Sequence, residues 1–172
     1  MVLPGYIFVL IPTATGLAFL GRYIDSRLGL KPFVIPPLSL ILFALLTAVG
    51  FSIVFWSYTY LVIEGQGSSA THLGGPTRLV TTGPYALVRH PSIVGKFLGV
   101  LGLGCLFGSV TFTFIILPLL LTGSLLHNRI NQEKYCIKCF GEEYERYREQ
   151  VPMILPRPRK VLEFLQGEER KP

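Results

Sequence analysis

Charge is scarce in this sequence. Only 15% of its 172 residues are Asp, Glu, Lys or Arg, against about 25% in ordinary soluble domains. Half are hydrophobic, and the mean hydropathy is +0.51. That balance argues against a soluble fold and for an integral membrane protein. A basic stripe with interleaved aromatics is absent, so nucleic acid is not an expected partner despite a net charge of +6. The excess reads instead as loops lying against an anionic leaflet of membrane lipids. Cysteine is sparse. Cys105 sits in an apolar run as a small core residue. Cys136 and Cys139 form a single CxxC, with no second one to complete a zinc site. No metal is therefore expected, and the pair reads as two reduced thiols on a cytosolic helix. No basic stretch precedes the apolar N-terminal run and no small-residue cleavage site follows it, so a retained first helix is expected. No glycine-rich loop follows a predicted strand, and no internal repeat divides the chain. One domain over residues 1–172 is expected.

What is present is apolar segments separated by short polar ones. Pro4–Leu20 carries no charge and is near the shortest length that spans a bilayer core, for which about 20 residues are typical. Gly21–Lys31 reads as a polar connector. Pro32–Ile63 is uncharged, with a helix expected to start at Pro36–Pro37 and to end in an aromatic belt of Trp56, Tyr58 and Tyr60. Glu64–His90 is rich in Gly and Pro and reads as turns, with His72 an exposed loop residue. Ser92–Phe107 and Val110–Leu126 follow, joined by a tight turn at Gly108–Ser109. The glycines of the first of these suit close helix packing, and Pro118 predicts a kink in the second. Asn128–Val151 is charged and helix-prone, with His127 at the interface and Tyr144 and Tyr147 on one face packing the tail onto the bundle.

The expected fold is therefore all-α and integral to the membrane: about four transmembrane helices, a helical hairpin and a cytosolic C-terminal helix. Ten Lys and Arg from Arg129 onward, with Arg78 and Arg89 on the same side, place the tail and the central loop in the cytoplasm. The membrane would be a bacterial or archaeal inner membrane or the endoplasmic reticulum. Oligomeric state is left open.

A short hairpin brings its two ends together. Tyr85, Arg89 and His90 are thus expected near Arg129, Gln132 and Glu133. Polar residues at the ends of packed membrane helices are functional candidates. A mouth of this kind suits a charged soluble cofactor on one side and a lipid-like substrate on the other. Arg89 and His90 also fit a plainer role, as interfacial side chains at a helix start with Pro91 in its first turn.

The stretch LVTTGPYALVRHPSIVG, followed after the hairpin by QEKYCIKCFGEEYERYREQVPMILP, resembles the isoprenylcysteine carboxyl methyltransferase and phospholipid methyltransferase family of integral membrane enzymes. The likeness covers Leu79–Pro156, and EGQGS at Glu64–Ser68 resembles the EGxGT of bacterial members. The motif-bearing catalytic part would be residues 64–158. The resemblance implies an S-adenosyl-L-methionine-dependent methyltransferase without a dinucleotide-binding fold. It implies cofactor contacts from Leu79, Tyr85, Arg89, His90, Pro91, Ser92, Gln132 and Glu133. Arg89, His90 and Glu133 would be the catalytic group, and Arg129 would meet the substrate. Glu133 is suited to the cofactor amine or ribose, and Arg89 or His90 to its carboxylate.

The implied acceptor is a lipid or a prenylated protein, most simply the carboxylate of an isoprenylcysteine, or a related lipid carboxyl or amine. A carboxylate would need no general base, whereas an amine would call on His90 or Glu133. Two positions depart from the family pattern: Ile93 where Tyr is common, and Gln132 where the acidic pair is usually Glu-Glu. Two other readings stand beside this one. Membrane sterol reductases carry RHPNYxGE and use a nicotinamide cofactor, but this chain has Ser92 for the Asn and Lys96 for the Glu. The departures at Ile93 and Gln132 also fit a non-catalytic membrane scaffold.

Overall fold

The computed structural model describes residues 3–67 and 75–166. His72, with Ser68 of the EGQGS turn, lies outside the described residues. Every regular element among the described residues is helical. Helix α1 covers Leu3–Arg27, α2 Leu38–Ile63, α3 Pro84–Leu87 and α4 Pro91–Phe107. A longer helix then runs from a π turn at Phe112–Ile116 through α5 (Leu117–His127) and a second π turn at Asn128–Gln132 into α6 (Glu133–Phe140). Helices α7 (Glu142–Gln150) and α8 (Pro158–Leu165) complete the chain.

Among the described residues, two helices are long and apolar enough to cross a membrane, Leu38–Ile63 and Phe112–Phe140. Only 11% and 17% of their most apolar stretches are buried, so neither is the core helix of a soluble protein. One broad face of α2 is exposed, with Leu40, Ile41, Leu45, Phe51 and Phe55 all pointing outward. The α4 helix is apolar but shorter.

Three sequence expectations are corrected here. Gly21–Lys31 is no connector in its first part, because α1 continues to Arg27. Its polar residues Arg22, Tyr23 and Ser26 are not helix breakers, and the chain turns only near Gly29, at φ +69°. The disturbance expected at Pro118 takes the form of a π turn just before it, where the Leu117 N–H reaches back to the Phe112 carbonyl. Proline cannot donate to residue 114, and the wider turn accommodates its ring. The single helix expected over Asn128–Val151 is interrupted at Gly141, whose φ of +52° ends α6 and starts α7.

The chain forms two compact units, residues 1–51 with 95–125, and residues 52–94 with 126–172. In the first, helices pack through small residues. A Cβ on Gly50 would lie 2.4 Å from the Gly95 carbonyl oxygen and 2.8 Å from the Gly99 nitrogen. On Gly21 it would lie 2.7 Å from the Phe112 Cβ. The hairpin turn falls at Gly108, φ +58°, as expected. Asp25, fully buried, accepts from the Val110 N–H at 2.9 Å, the Thr111 N–H at 3.0 Å and the Thr111 hydroxyl at 2.5 Å. One carboxylate at the end of α1 thus caps the helix that leaves the hairpin.

Gly50→Leu forces the α2 and α4 backbones apart. Overpacking of this kind costs about 1–3 kcal/mol. The midpoint of thermal unfolding in detergent is expected to fall by several degrees. Gly16→Leu is the control: a Cβ there meets nothing within 4 Å, and its midpoint is expected to match that of the parent protein.

Candidate active site

The site lies within the second unit and is built from two short segments. The first starts where Gly83, φ +56°, turns the chain into α3. A Cβ there would meet the Tyr60 ring at 2.4 Å, so only glycine fits. Just upstream, Thr82 donates its hydroxyl to the Glu64 carboxylate, and the Thr77 N–H donates to the Gly65 carbonyl at 2.9 Å. These bonds tie the turn after α2 to this segment. After α3 the chain extends through Val88, and Pro91 opens α4. Between them, Arg89 and His90 donate their backbone N–H groups to the carbonyls of Pro152 and Met153, at 2.9 and 3.1 Å. The residues after α7 therefore cross directly over the RHP stretch and hold its backbone.

The second segment is the start of α6. The π turn at Asn128–Gln132 ends where the Glu133 N–H reaches the Asn128 carbonyl. Glu133 itself is 5% exposed. One of its oxygens, Oε1, lies 2.6 Å from Arg89 Nη1 and 3.4 Å from His90 Nε2. So a single buried carboxylate fixes both side chains of the RHP stretch. Arg89 Nε is buried without a partner. A buried donor of this kind is costly unless something accepts from it.

Arg89 and His90 border a cleft that opens to solvent.

A family model described as phospholipid methyltransferase matches residues 38–143, a span that includes both segments of the site. The chain belongs to the phospholipid methyltransferase family. A protein-S-isoprenylcysteine O-methyltransferase of Schizosaccharomyces pombe is 38% identical over 95 residues, covering 52% of this chain and 40% of that protein. The nickel-cobalt-cadmium resistance protein NccN of Alcaligenes xylosoxydans xylosoxydans is 37% identical over 82 residues, 47% of this chain and 37% of that protein. A methanethiol S-methyltransferase of Crocosphaera subtropica is 36% identical over 87 residues, 47% of this chain and 30% of that protein. The chain thus spans at most 40% of the length of these relatives. No solved structure matches it.

In this phospholipid methyltransferase family member, Leu79, Tyr85, Arg89, His90, Ser92 and Gln132 all line the cleft. Three of the residues expected from sequence do not. Pro91 is buried at the first turn of α4, Glu133 sits behind Arg89 and His90, and Arg129 is exposed on the π turn. Sequence reasoning missed Cys136, Phe140, Tyr144 and Tyr147 as lining residues. The signal for the last three was present as FGxEYxxY, but a tyrosine pair three apart has the same pattern whether it packs a helix or walls a cleft. Here it does both. The rings of Tyr144 and Tyr147 lie tilted against each other, centroids 5.9 Å apart, and form a buried cluster with Val151.

Burial pushes the phenols of Tyr85, Tyr144 and Tyr147 well above their ordinary range. They are neutral donors and aromatic walls, not bases. The Tyr147 hydroxyl donates to the Tyr85 carbonyl at 2.8 Å, which anchors α3 to α7. Tyr147→Phe deletes that bond and is expected to cost about 1 kcal/mol. Thermal unfolding in detergent reads this as a fall of roughly 2–4 °C.

Proposed function

We propose that this protein is an integral membrane methyltransferase that uses S-adenosyl-L-methionine and acts on a lipid-linked acceptor. The observation that carries the reading is the ion pair at 2.6 Å between Arg89 of the RHP stretch and Glu133. The pair joins the family's two motif segments at one cleft. The residues present suit that cofactor. Arg89, with its orphaned Nε, and His90 would hold a carboxylate. Tyr85, Phe140 and Tyr144 offer aromatic surface, and Gln132 offers both donors and acceptors. When bound, the cofactor supplies an electrophilic methyl group on a sulfonium centre.

The protein's own part is alignment and exclusion of water. Glu133 acts as a positioning residue: it orients Arg89 and His90 and is itself shielded from the cleft. The tyrosines stay neutral and supply no base, which leaves His90, paired with Glu133, for an acceptor that must lose a proton. An acceptor that is already anionic needs no base. An isoprenylcysteine methylated on oxygen, as in the name of one relative, fits that class. We infer a carboxylate on a lipophilic carrier, the carboxyl of a prenylated cysteine first among them. An amine headgroup would call on His90 as its proton acceptor.

The same reading takes the apolar segments Pro4–Leu20, Pro37–Ile63, Ser92–Phe107 and Val110–Leu126 as four crossings. The tail from Arg129 faces the cytoplasm.

Calorimetry on the detergent-purified protein tests the cofactor. Micromolar binding of S-adenosylmethionine with no heat from NADPH is expected. NADPH binding alone would support an oxidoreductase, and binding of neither would support a scaffold.

A further inference from the structure

The CxxC pair plays no part in the function proposed above. Cys136 and Cys139 are free thiols one turn apart on α6. Cys136 is half-buried and lines the cleft, whereas Cys139 is exposed. The pair therefore links solvent to the cleft wall. Among the described residues, no group of three or more His, Cys, Asp or Glu could hold a metal ion, so the two thiols are not part of a larger ligand set.

Residues three apart on a helix have Cβ atoms roughly 5–6 Å apart. A disulfide needs about 3.5–4.5 Å, with Cα atoms about 4.4–6.8 Å apart. The Cα spacing of a helical turn already satisfies the second condition. The first requires one turn to tighten by an ångström or two. That turn is the last of α6. It ends at Phe140, and Gly141, φ +52°, follows and can absorb the change. Tightening moves Cys136 and Phe140, and both line the cleft and pack against the Tyr144–Tyr147–Val151 cluster.

We propose that Cys136 and Cys139 form a dithiol redox site, oxidised by hydroperoxides to a disulfide that reshapes the cleft wall. The exposed Cys139 sulfur attacks the outer peroxide oxygen. The O–O bond breaks, an alcohol or water leaves, and Cys139 becomes a sulfenic acid. The Cys136 sulfur then attacks the Cys139 sulfur. The S–S bond forms, the S–O bond breaks, and the departing hydroxide takes the Cys136 proton and leaves as water. The two sulfurs lose two electrons in all, and these reduce the peroxide. The bridge closes against the helix geometry, so it is strained and readily reduced by a small dithiol. Weakened cofactor binding in the oxidised form rests on the reading of the cleft as the S-adenosylmethionine site. Formation of the bridge does not.

The test uses the full-length protein in detergent, treated with hydrogen peroxide and then alkylated under denaturing conditions. The intact chain is expected to lose about 2 Da and to keep one of its three thiols, Cys105, open to maleimide. The dissociation constant for S-adenosylmethionine is expected to rise at least tenfold and to return with dithiothreitol. Cys139→Ser is expected to bind like the reduced parent and to be insensitive to peroxide. A sulfinic acid at Cys139 without a bridge, or disulfide-linked dimers only, would overturn the proposal. So would an internal bridge that leaves the dissociation constant unchanged. If the reduced protein binds no S-adenosylmethionine, the assignment of the cleft fails, while the mass change still decides the bridge.

Discussion

Glu133→Ala is expected to raise the dissociation constant for S-adenosylmethionine more than a hundredfold. Glu133 is 5% exposed, and its Oε1 is shared by Arg89 and His90. Removing it strands a guanidinium whose side chain is only 13% exposed. Breaking a buried pair by deleting one partner costs about 3–5 kcal/mol, because the remaining charge is left uncompensated. Arg89 can recover part of that only by leaving its place, and the cleft then loses its anion-binding group. Hydrogen bonds to charged groups are worth about 1.5–3 kcal/mol each, and at about 1.4 kcal/mol per tenfold in affinity the loss of two of them exceeds a hundredfold. The double variant Glu133→Ala with Arg89→Met separates binding from folding. With no charge left to strand, thermal stability is expected to return most of the way, while binding stays lost. Calorimetry and thermal unfolding on the same preparations check both. Affinity within a few fold of the parent in Glu133→Ala would remove Glu133 from the positioning role.

The second large effect is structural and lies in the other unit. Asp25→Ala deletes three hydrogen bonds at once and leaves the N–H groups of part-buried Val110 and buried Thr111 without their carboxylate acceptor. Loss of a capping side chain costs about 0.5–2 kcal/mol. Each buried donor left unpaired adds about 1–3 kcal/mol. A total near 3 kcal/mol corresponds to a fall of roughly 6–12 °C in the unfolding midpoint for a protein of this size. Asp25→Asn keeps an acceptor and is expected to lose less than half as much, as is Thr111→Val, which removes only the hydroxyl bond. Equal midpoints for Asp25→Ala and the parent protein would show that the cap contributes nothing.

Much of the hairpin and of the two converging segments is legible in the sequence. Gly108–Ser109 allows only a tight turn between two apolar runs, so the residues before the first run and after the second must meet. Arg89 and Glu133 do meet, at 2.6 Å. What escapes sequence reading is long-range or degenerate. Asp25 looks like an ordinary polar connector residue, and its partners at 110 and 111 appear only once α1 lies beside the hairpin turn. Polar residues before Gly29 suggest a loop, yet none of them breaks a helix. Gly141 sits inside a helix-prone charged stretch, and only its positive φ reveals the break. Tyr144 and Tyr147 have the spacing of packing residues, and that spacing is blind to the cleft on their other side. Glu133 reads as a ligand because it is charged and belongs to a motif. Its burial behind Arg89 is a matter of geometry that composition cannot express.

Photo-cross-linking of the full-length protein to methyl-labelled S-adenosylmethionine under ultraviolet light, followed by peptide mapping, tests the central claim most directly. Label is expected on the peptides that carry Leu79–Ser92 and Gln132–Tyr147, competed away by the demethylated cofactor and absent in Glu133→Ala. Label confined to other parts of the chain, or equal labelling of the parent protein and Glu133→Ala, would contradict it.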